Sequence, residues 1–184
     1  MADCPTMLHF VWGVDVPGTG PLREKLLEEH WSYMDRFVEE LTARGPTLSD
    51  DRTEATGSIH IVELPDVAAA RAFAFDEPNF RAGVYDPVLL LRYVDTLGGT
   101  MWQHSSGTGD GFLVIGHATP GAQPPPAGPP MRGVLARGEL HSHDDGGWVG
   151  TAVLVEAAQV RAADVLPGGY DEVEIHPWCM GGRR

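Results

Sequence analysis

The chain has 184 residues, of which 42% are hydrophobic and 21% are charged, so it can form a packed core and is not disordered as a whole. Its 26 Asp and Glu residues outnumber its 13 Lys and Arg residues, which gives a formal net charge of −13. This balance argues against nucleic acid and anionic membrane surfaces as partners, because both are bound through clustered basic side chains.

The sequence also favours a cytoplasmic protein, because it lacks the features of a membrane or secreted one. No stretch approaches the roughly 18–20 consecutive apolar residues of a membrane helix. The first residues lack the basic segment and apolar run of a secretory signal. Cys4 and Cys179 are therefore expected to be reduced thiols, although a bridge between them is possible in principle.

The first half of the chain opens with a strand and a long helix. Residues 7–14 form an almost unbroken apolar run, which is typical of a strand covered on both faces. Pro21 suits a first helical turn and Gly45 suits the residue after a helix, so together they bracket a predicted helix of about 24 residues.

Two strands, a second helix and a last strand follow. A short strand and turn are predicted at 46–51, and a β-branched strand at 58–64. Asp66 is expected to cap the second helix. The last strand, 84–94, carries Pro87, which indicates an edge or a bulge. The order β-α-β-β-α-β is the ferredoxin-like plan, with helices on one face of an antiparallel sheet.

Four segments of this half recur in the same order in the second half. The matched pairs are 9–18 with 112–121, 41–51 with 134–145, 55–63 with 148–156, and 85–99 with 170–182. We therefore predict two units, 1–103 and 111–184, joined by a glycine-rich linker, with the second unit shortened in its proline-rich stretch 119–130. Because each sheet leaves one face uncovered, we expect an α+β pseudo-dimer with the sheets packed face to face around a cavity.

His30 is the principal catalytic candidate, because an imidazole exchanges protons near neutral pH. Asp15, at the end of the first strand, could orient the ring and stabilise its protonated form. The alternative for His30 is a core histidine with a satisfied hydrogen bond. Spacing alone does not decide between them, since His30 lies roughly 13 Å along the helix from Pro21 at ~1.5 Å per residue.

Other candidates fall into a binding group and a metal group. Substrate-binding residues are expected at the cavity wall; they are Trp12, Gly45, Pro46, Ser58 and His60. If Ile59 and Ile61 contact the helices, His60 points between the sheets. His141 and His143 could bind a metal as a weaker alternative to a polar turn, and our leading prediction includes no metal. No nucleotide, hydrolase or zincin motif occurs, and we expect no cofactor.

A set of residues in the first half forms a family-like pattern: Asp15, His30, Gly45-Pro46, Thr56-Gly57-Ser58 and the segment 76–85. With this pattern residues 7–95 resemble the YCII-related (YciI-like) family, whose DPYxxAGVY segment is close to 76–85. The resemblance implies a ferredoxin-like fold of the dimeric α/β-barrel superfamily, formed here within one chain. It also implies a His–Asp dyad at His30 and Asp15. Related barrels include isomerases, lyases and cofactor-free oxygenases that act on small, often aromatic or lactone-like molecules.

The second unit has Ala118 where the first has Asp15, so any dyad occurs once per chain. The favoured hypothesis is an enzyme that performs cofactor-free proton transfer on a small molecule, as in elimination or isomerisation. The alternative is a non-catalytic protein of the same fold that binds a small molecule. The pseudo-dimer could associate further into a homo-oligomer.

Overall fold

A computed structural model describes residues 6–126, 132–166 and 168–182. These residues form an α+β fold built on one closed barrel of eight antiparallel strands, in the order β1-β3-β2-β8-β5-β7-β6-β4. The strands are β1 Met7–Asp15, β2 Leu41–Leu48, β3 Ala55–Leu64, β4 Tyr85–Asp95, β5 Asp110–His117, β6 Val134–His141, β7 Trp148–Glu156 and β8 Glu172–Cys179. The α-helices are α1 Gly20–Lys25, α2 Leu27–Met34, α3 Val67–Phe75, α4 Pro78–Arg81, α5 Met101–His104 and α6 Ala162–Val165.

Alternation along the strands separates an inner and an outer face. Phe10, Ile59 and Leu113 point into the barrel and belong to one apolar cluster drawn from both halves of the chain. Val11 and Val62 point outward and pack against the helices. The eight strands thus close into a single barrel, and the side chains of this cluster fill its interior, where we expected a cavity between two sheets.

The predicted long helix is wrong. After α2, a 3₁₀ turn at Asp35–Phe37 leads to β2, so Gly45 lies inside a strand and does not end a helix. Met34, Phe37 and Leu41 had fitted one helical stripe. All three do contact the same apolar cluster, although Leu41 does so from a strand.

The third strand, the second helix and the last strand of the first half lie close to their predicted positions, whereas β2 begins five residues before the predicted 46–51 and α4 was not predicted. The Asp66 side chain accepts a hydrogen bond from the Ala69 N–H and caps α3, as expected. The register between β1 and β4 shifts between Gly13 and Asp15, which places an irregularity beside Pro87. This confirms the expected bulge in the last strand.

The second half keeps the strands but has less helix than the ferredoxin-like plan requires. Its strands follow the order β8-β5-β7-β6, as β4-β1-β3-β2 do in the first half. Between β5 and β6, the described residues 118–126 and 132–133 contain no helix, and α6 has only one turn. Cys4 lies outside the described residues, so its expected thiol state stays a prediction. Within the described part, no helix is long and apolar enough to cross a membrane.

Candidate functional site

A cavity of about 270 Å³ lies on the outside of the barrel, between helices α1 and α2 and the outer face of β2 and β3. Its lining includes His30, His60 and the guanidinium-bearing residues Arg23 and Arg44. Residues 179–182, at the end of β8, form another part of the wall. The second half of the chain therefore contributes to the cavity that contains His30.

His30 is held by a carboxylate that the sequence analysis did not assign. Its Nδ1 lies 2.6 Å from Oε1 of Glu77, and both side chains are buried. The other oxygen of Glu77 accepts the Phe80 N–H at 2.9 Å, so Glu77 also caps α4. An ionised carboxylate only accepts hydrogen bonds, so the imidazole donates from Nδ1, and the neutral form of the ring then has its lone pair on Nε2. Nε2 has no hydrogen-bond partner among the described residues, and the ring lines the cavity.

Asp15 takes part in a different group of contacts. Its Oδ1 lies 2.7 Å from the Arg23 guanidinium, which also donates to Ser58 Oγ at 2.6 Å and to the Tyr85 hydroxyl at 3.3 Å. The Tyr85 ring lies directly over Gly13, where a Cβ atom would come within 2.6 Å of it. Burial raises the pKa of Asp15 to about 6, although the charge of Arg23 acts in the opposite direction.

The expected hydrogen bond between His30 and Asp15 is therefore absent from the contacts of these two residues. Arg23 occupies the hydrogen-bonding position at Asp15, and Glu77 occupies the one at His30. A signal for Glu77 was present in the sequence, because an acidic residue followed by Pro78 is a typical helix start. That signal predicts a cap, but it does not indicate that the same carboxylate reaches a histidine 47 positions earlier.

His60 lies on the outer face of β3, whereas its neighbours Ile59 and Ile61 point into the barrel. The condition under which His60 would point between the sheets is therefore not met, and His60 instead lines the cavity on the outside of the barrel. Its ring centroid lies 5.9 Å from that of His30, and it also contacts Phe73. Burial, helped by the nearby charge of His30, holds the pKa of His60 well below its usual value. His60 is thus a neutral imidazole beside His30.

The remaining substrate-binding candidates divide between the two faces of the barrel. Ser58, Gly45 and Pro46 line the cavity together with His30. Gly45 permits the close approach of β8, because a Cβ there would lie 2.1 Å from the Cys179 carbonyl oxygen. Trp12 belongs to the interior cluster, on the opposite side of the sheet from His30.

The cavity combines positive charge with apolar surface. Its described lining contains Arg23, Arg44 and two imidazoles but no carboxylate, and Leu27, Trp31 and Met34 supply apolar contacts. Such a lining suits a small molecule that has an apolar body and carries or develops negative charge on an oxygen.

The alternative metal site does not assemble. Nε2 of His141 lies 3.0 Å from Glu139, whereas His143 reaches His9 in the first half at 3.3 Å. The two rings therefore serve different contacts. Among the described residues, no group of three or more His, Cys, Asp or Glu side chains is placed to hold a metal ion.

Solved structures with similar folds identify the architecture. An anthrone oxidase-like protein aligns with 100% of this chain and 94% of its own, at 14% identity and a TM-score of 0.50. Chlorite dismutase from Candidatus Nitrospira defluvii aligns over 96% of this chain and 92% of its own, at 12% identity and a TM-score of 0.53. At these identities the likeness concerns the fold alone, and both neighbours are of the dimeric α/β barrel type.

The first half is also similar to a known family. Residues 7–93 match the model of the YCII-related domain. The 5-chloro-2-hydroxyhydroquinone dehydrochlorinase from Burkholderia phenoliruptrix AC1100, solved with 2,5-dihydroxybenzoquinone, is 25% identical. It covers 46% of this chain and 90% of its own, with a TM-score of 0.43. Comparison with curated proteins gives no match.

Proposed function

We propose that this protein is an enzyme that transfers a proton on a small molecule bound in the His30 cavity. The observation that carries the proposal is the arrangement of His30. Glu77 holds its Nδ1, Nε2 has no hydrogen-bond partner among the described residues, and the ring lines the cavity. A base held by a buried carboxylate is oriented, and its protonated form is stabilised by the adjacent negative charge. A core histidine with a satisfied hydrogen bond could share the contact with Glu77, but it would not also need to line a cavity.

The surrounding groups suit a reaction in which negative charge develops on oxygen. His30 Nε2 would take a proton from the substrate, and the charges of Arg23 and Arg44 would stabilise the resulting anion. His60 is neutral because it is buried, and its single ring N–H can donate a hydrogen bond to that anion. The proton on Nε2 is then returned to another atom of the substrate or to a leaving group, as in isomerisation or elimination. These steps need only side chains of the chain, so we propose cofactor-free chemistry.

We further infer that the two halves are copies of one unit, with the boundaries 1–103 and 111–184. Tyr170 lies over Gly116 and bonds Thr151, which parallels Tyr85 over Gly13 beside Ser58. The second copy has no counterpart of the Asp15 carboxylate or of His30. One catalytic cavity per chain follows from this inference, with the second copy supplying part of its wall.

The experiment is hydrogen–deuterium exchange in D₂O, followed by proton NMR with a panel of 2-oxo acids, lactones and hydroxylated aromatic compounds. The wild-type protein should exchange a carbon-bound proton of at least one compound, and His30→Gln should slow that exchange about 100-fold or more. His104→Gln, a change at an exposed histidine, is the matched control and should leave the rate unchanged. Binding of a compound with no exchange in either protein would favour the non-catalytic alternative, and equal exchange rates in wild type and His30→Gln would contradict the role of His30 as the base.

A further inference from the structure

Besides the His30 cavity, the barrel has an opening at one end, where β2 and β8 separate. These strands pair only at Thr47 and Trp178, whereas the other junction between the halves, β4 with β6, pairs from Arg92 to Asp95. Pro46 and Pro177 flank the single pair, and a proline cannot donate to the ladder. A cavity of about 600 Å³ occupies the opening and shares no lining residue with the His30 cavity.

Three titratable side chains stand at this end of the barrel, on its inner face. Glu174 pairs with Ile115 and His176 with Leu113, and both partners belong to the interior cluster. His117 lies two residues beyond Ile115 on the same face of β5. The matching positions on β1 and β4 hold Val14, Leu89 and Leu91, which pack against that cluster. Packing of the barrel interior therefore favours apolar residues at these positions. The second half instead has His117, Glu174 and His176 there.

The three side chains form a connected group. Nε2 of His117 lies 2.5 Å from one oxygen of Glu174, and Nε2 of His176 lies 2.9 Å from the other. Burial raises the pKa of Glu174, but the hydrogen bonds from His176 and His117 outweigh it, so the pKa lies below its usual value. Since an ionised carboxylate only accepts, both imidazoles donate from Nε2 to Glu174.

The lining of this cavity is rich in acceptors and negative charge. Glu174 and Asp50 supply carboxylates, and the described lining contains no Lys or Arg. Apolar surface comes from Trp12, whose indole meets the His176 ring edge-on at 4.9 Å, and from Val14. This chemistry is opposite to that of the His30 cavity, which contains two arginines and no carboxylate.

We propose that this opening is a second ligand site, which takes a small organic cation with an apolar or aromatic body, such as an amine or an amidine. The cation would be held by Glu174 and Asp50, while its body contacts Trp12 and Val14. His117 and His176 are positioning residues, because they fix both oxygens of the Glu174 carboxylate. The site is independent of the proposed reaction at His30.

The test is isothermal titration calorimetry with benzamidine and with benzoate, which has a similar shape and the opposite charge. Wild type should bind benzamidine saturably, and Glu174→Gln should weaken benzamidine binding about tenfold or more while leaving any benzoate binding at the His30 cavity unchanged. Glu63→Gln removes one exposed charge outside this cavity and should leave the affinity unchanged. Glu174→Leu introduces the residue found at the matching position of the first half, Leu89. It should remove benzamidine binding while the protein stays folded.

Three results would overturn the proposal: no saturable binding of benzamidine by wild type, equal benzamidine affinity in wild type and Glu174→Gln, or a loss of benzoate affinity in Glu174→Gln as large as the loss of benzamidine affinity. A thermal melt of each variant establishes that it is folded. The exchange activity at His30 is measured separately, so failure of either proposal can be distinguished from failure of the other.

Discussion

At the scale of single residues, two carboxylates near the cavity have separate partners. Asp15 is paired with Arg23, and Glu77 is bonded to His30. Glu77 also caps α4 through its second oxygen, which fixes the carboxylate before any ligand arrives. An imidazole oriented in this way loses little freedom when it begins to take a proton. Glu77 is therefore the positioning residue for His30, and Asp15 acts through Arg23.

Glu77→Gln tests this division. An amide oxygen can still accept the Phe80 N–H, so α4 should keep its cap, but the negative charge beside the imidazolium is lost. We expect the exchange rate supported by His30 to fall about 100-fold with little change in melting temperature. The control is Asp76→Asn, which alters an exposed neighbour paired with Arg81. An unchanged rate in Glu77→Gln would show that Glu77 is structural only.

At the scale of elements, the sequence predicts strands better than it predicts the helical layer. The apolar run of β1, the β-branched residues of β3 and the Asp66 cap of α3 are local signals, and each corresponds to an observed element. Local signals do not show where α2 ends and β2 begins. Met34 and Leu41 approach one apolar cluster from a helix and from a strand, so helical periodicity continues past the true end of the helix.

The candidate site was predictable only in part, because some of its contacts are tertiary and leave no local signal in the sequence. His30 and the wall residues Gly45, Pro46 and Ser58 follow from the sequence and the family resemblance, and they do line one cavity. The partner of His30 depends on where α4 lies against α2, which is a tertiary contact with no periodicity in the sequence. The orientation of Trp12 likewise depends on which face of β1 points into the barrel.

At the scale of the whole molecule, a pair of histidines joins the two halves outside the barrel. His9 on β1 is fully buried, and its Nδ1 lies 3.3 Å from Nε2 of His143 in the turn after β6. Burial, aided by the charge of His143, lowers the pKa of His9 to about 4. The folded state therefore favours neutral His9, and the contact should weaken in acid.

The low pKa of His9 should make the folded protein less stable in acid. The pKa of His9 in the folded state lies below the unfolded value of about 6.5, so its contribution to stability is complete above that value and is lost as the pH falls towards 4. Between pH 7 and pH 4, wild type should lose on the order of 3 kcal/mol of unfolding free energy relative to His9→Phe. Urea denaturation at a series of pH values measures this difference. Parallel stability curves for the two proteins would contradict it.

The most direct test of the account is a long-range ¹⁵N–¹H NMR spectrum of the histidine side chains near neutral pH, with His30 assigned through His30→Gln. We predict that neutral His30 carries its proton on Nδ1, facing Glu77, and that Nε2 is unprotonated, with this preference reduced in Glu77→Gln. A neutral His30 protonated on Nε2, or a spectrum that Glu77→Gln leaves unchanged, would contradict the claim that Glu77 prepares His30 as the base of the cavity.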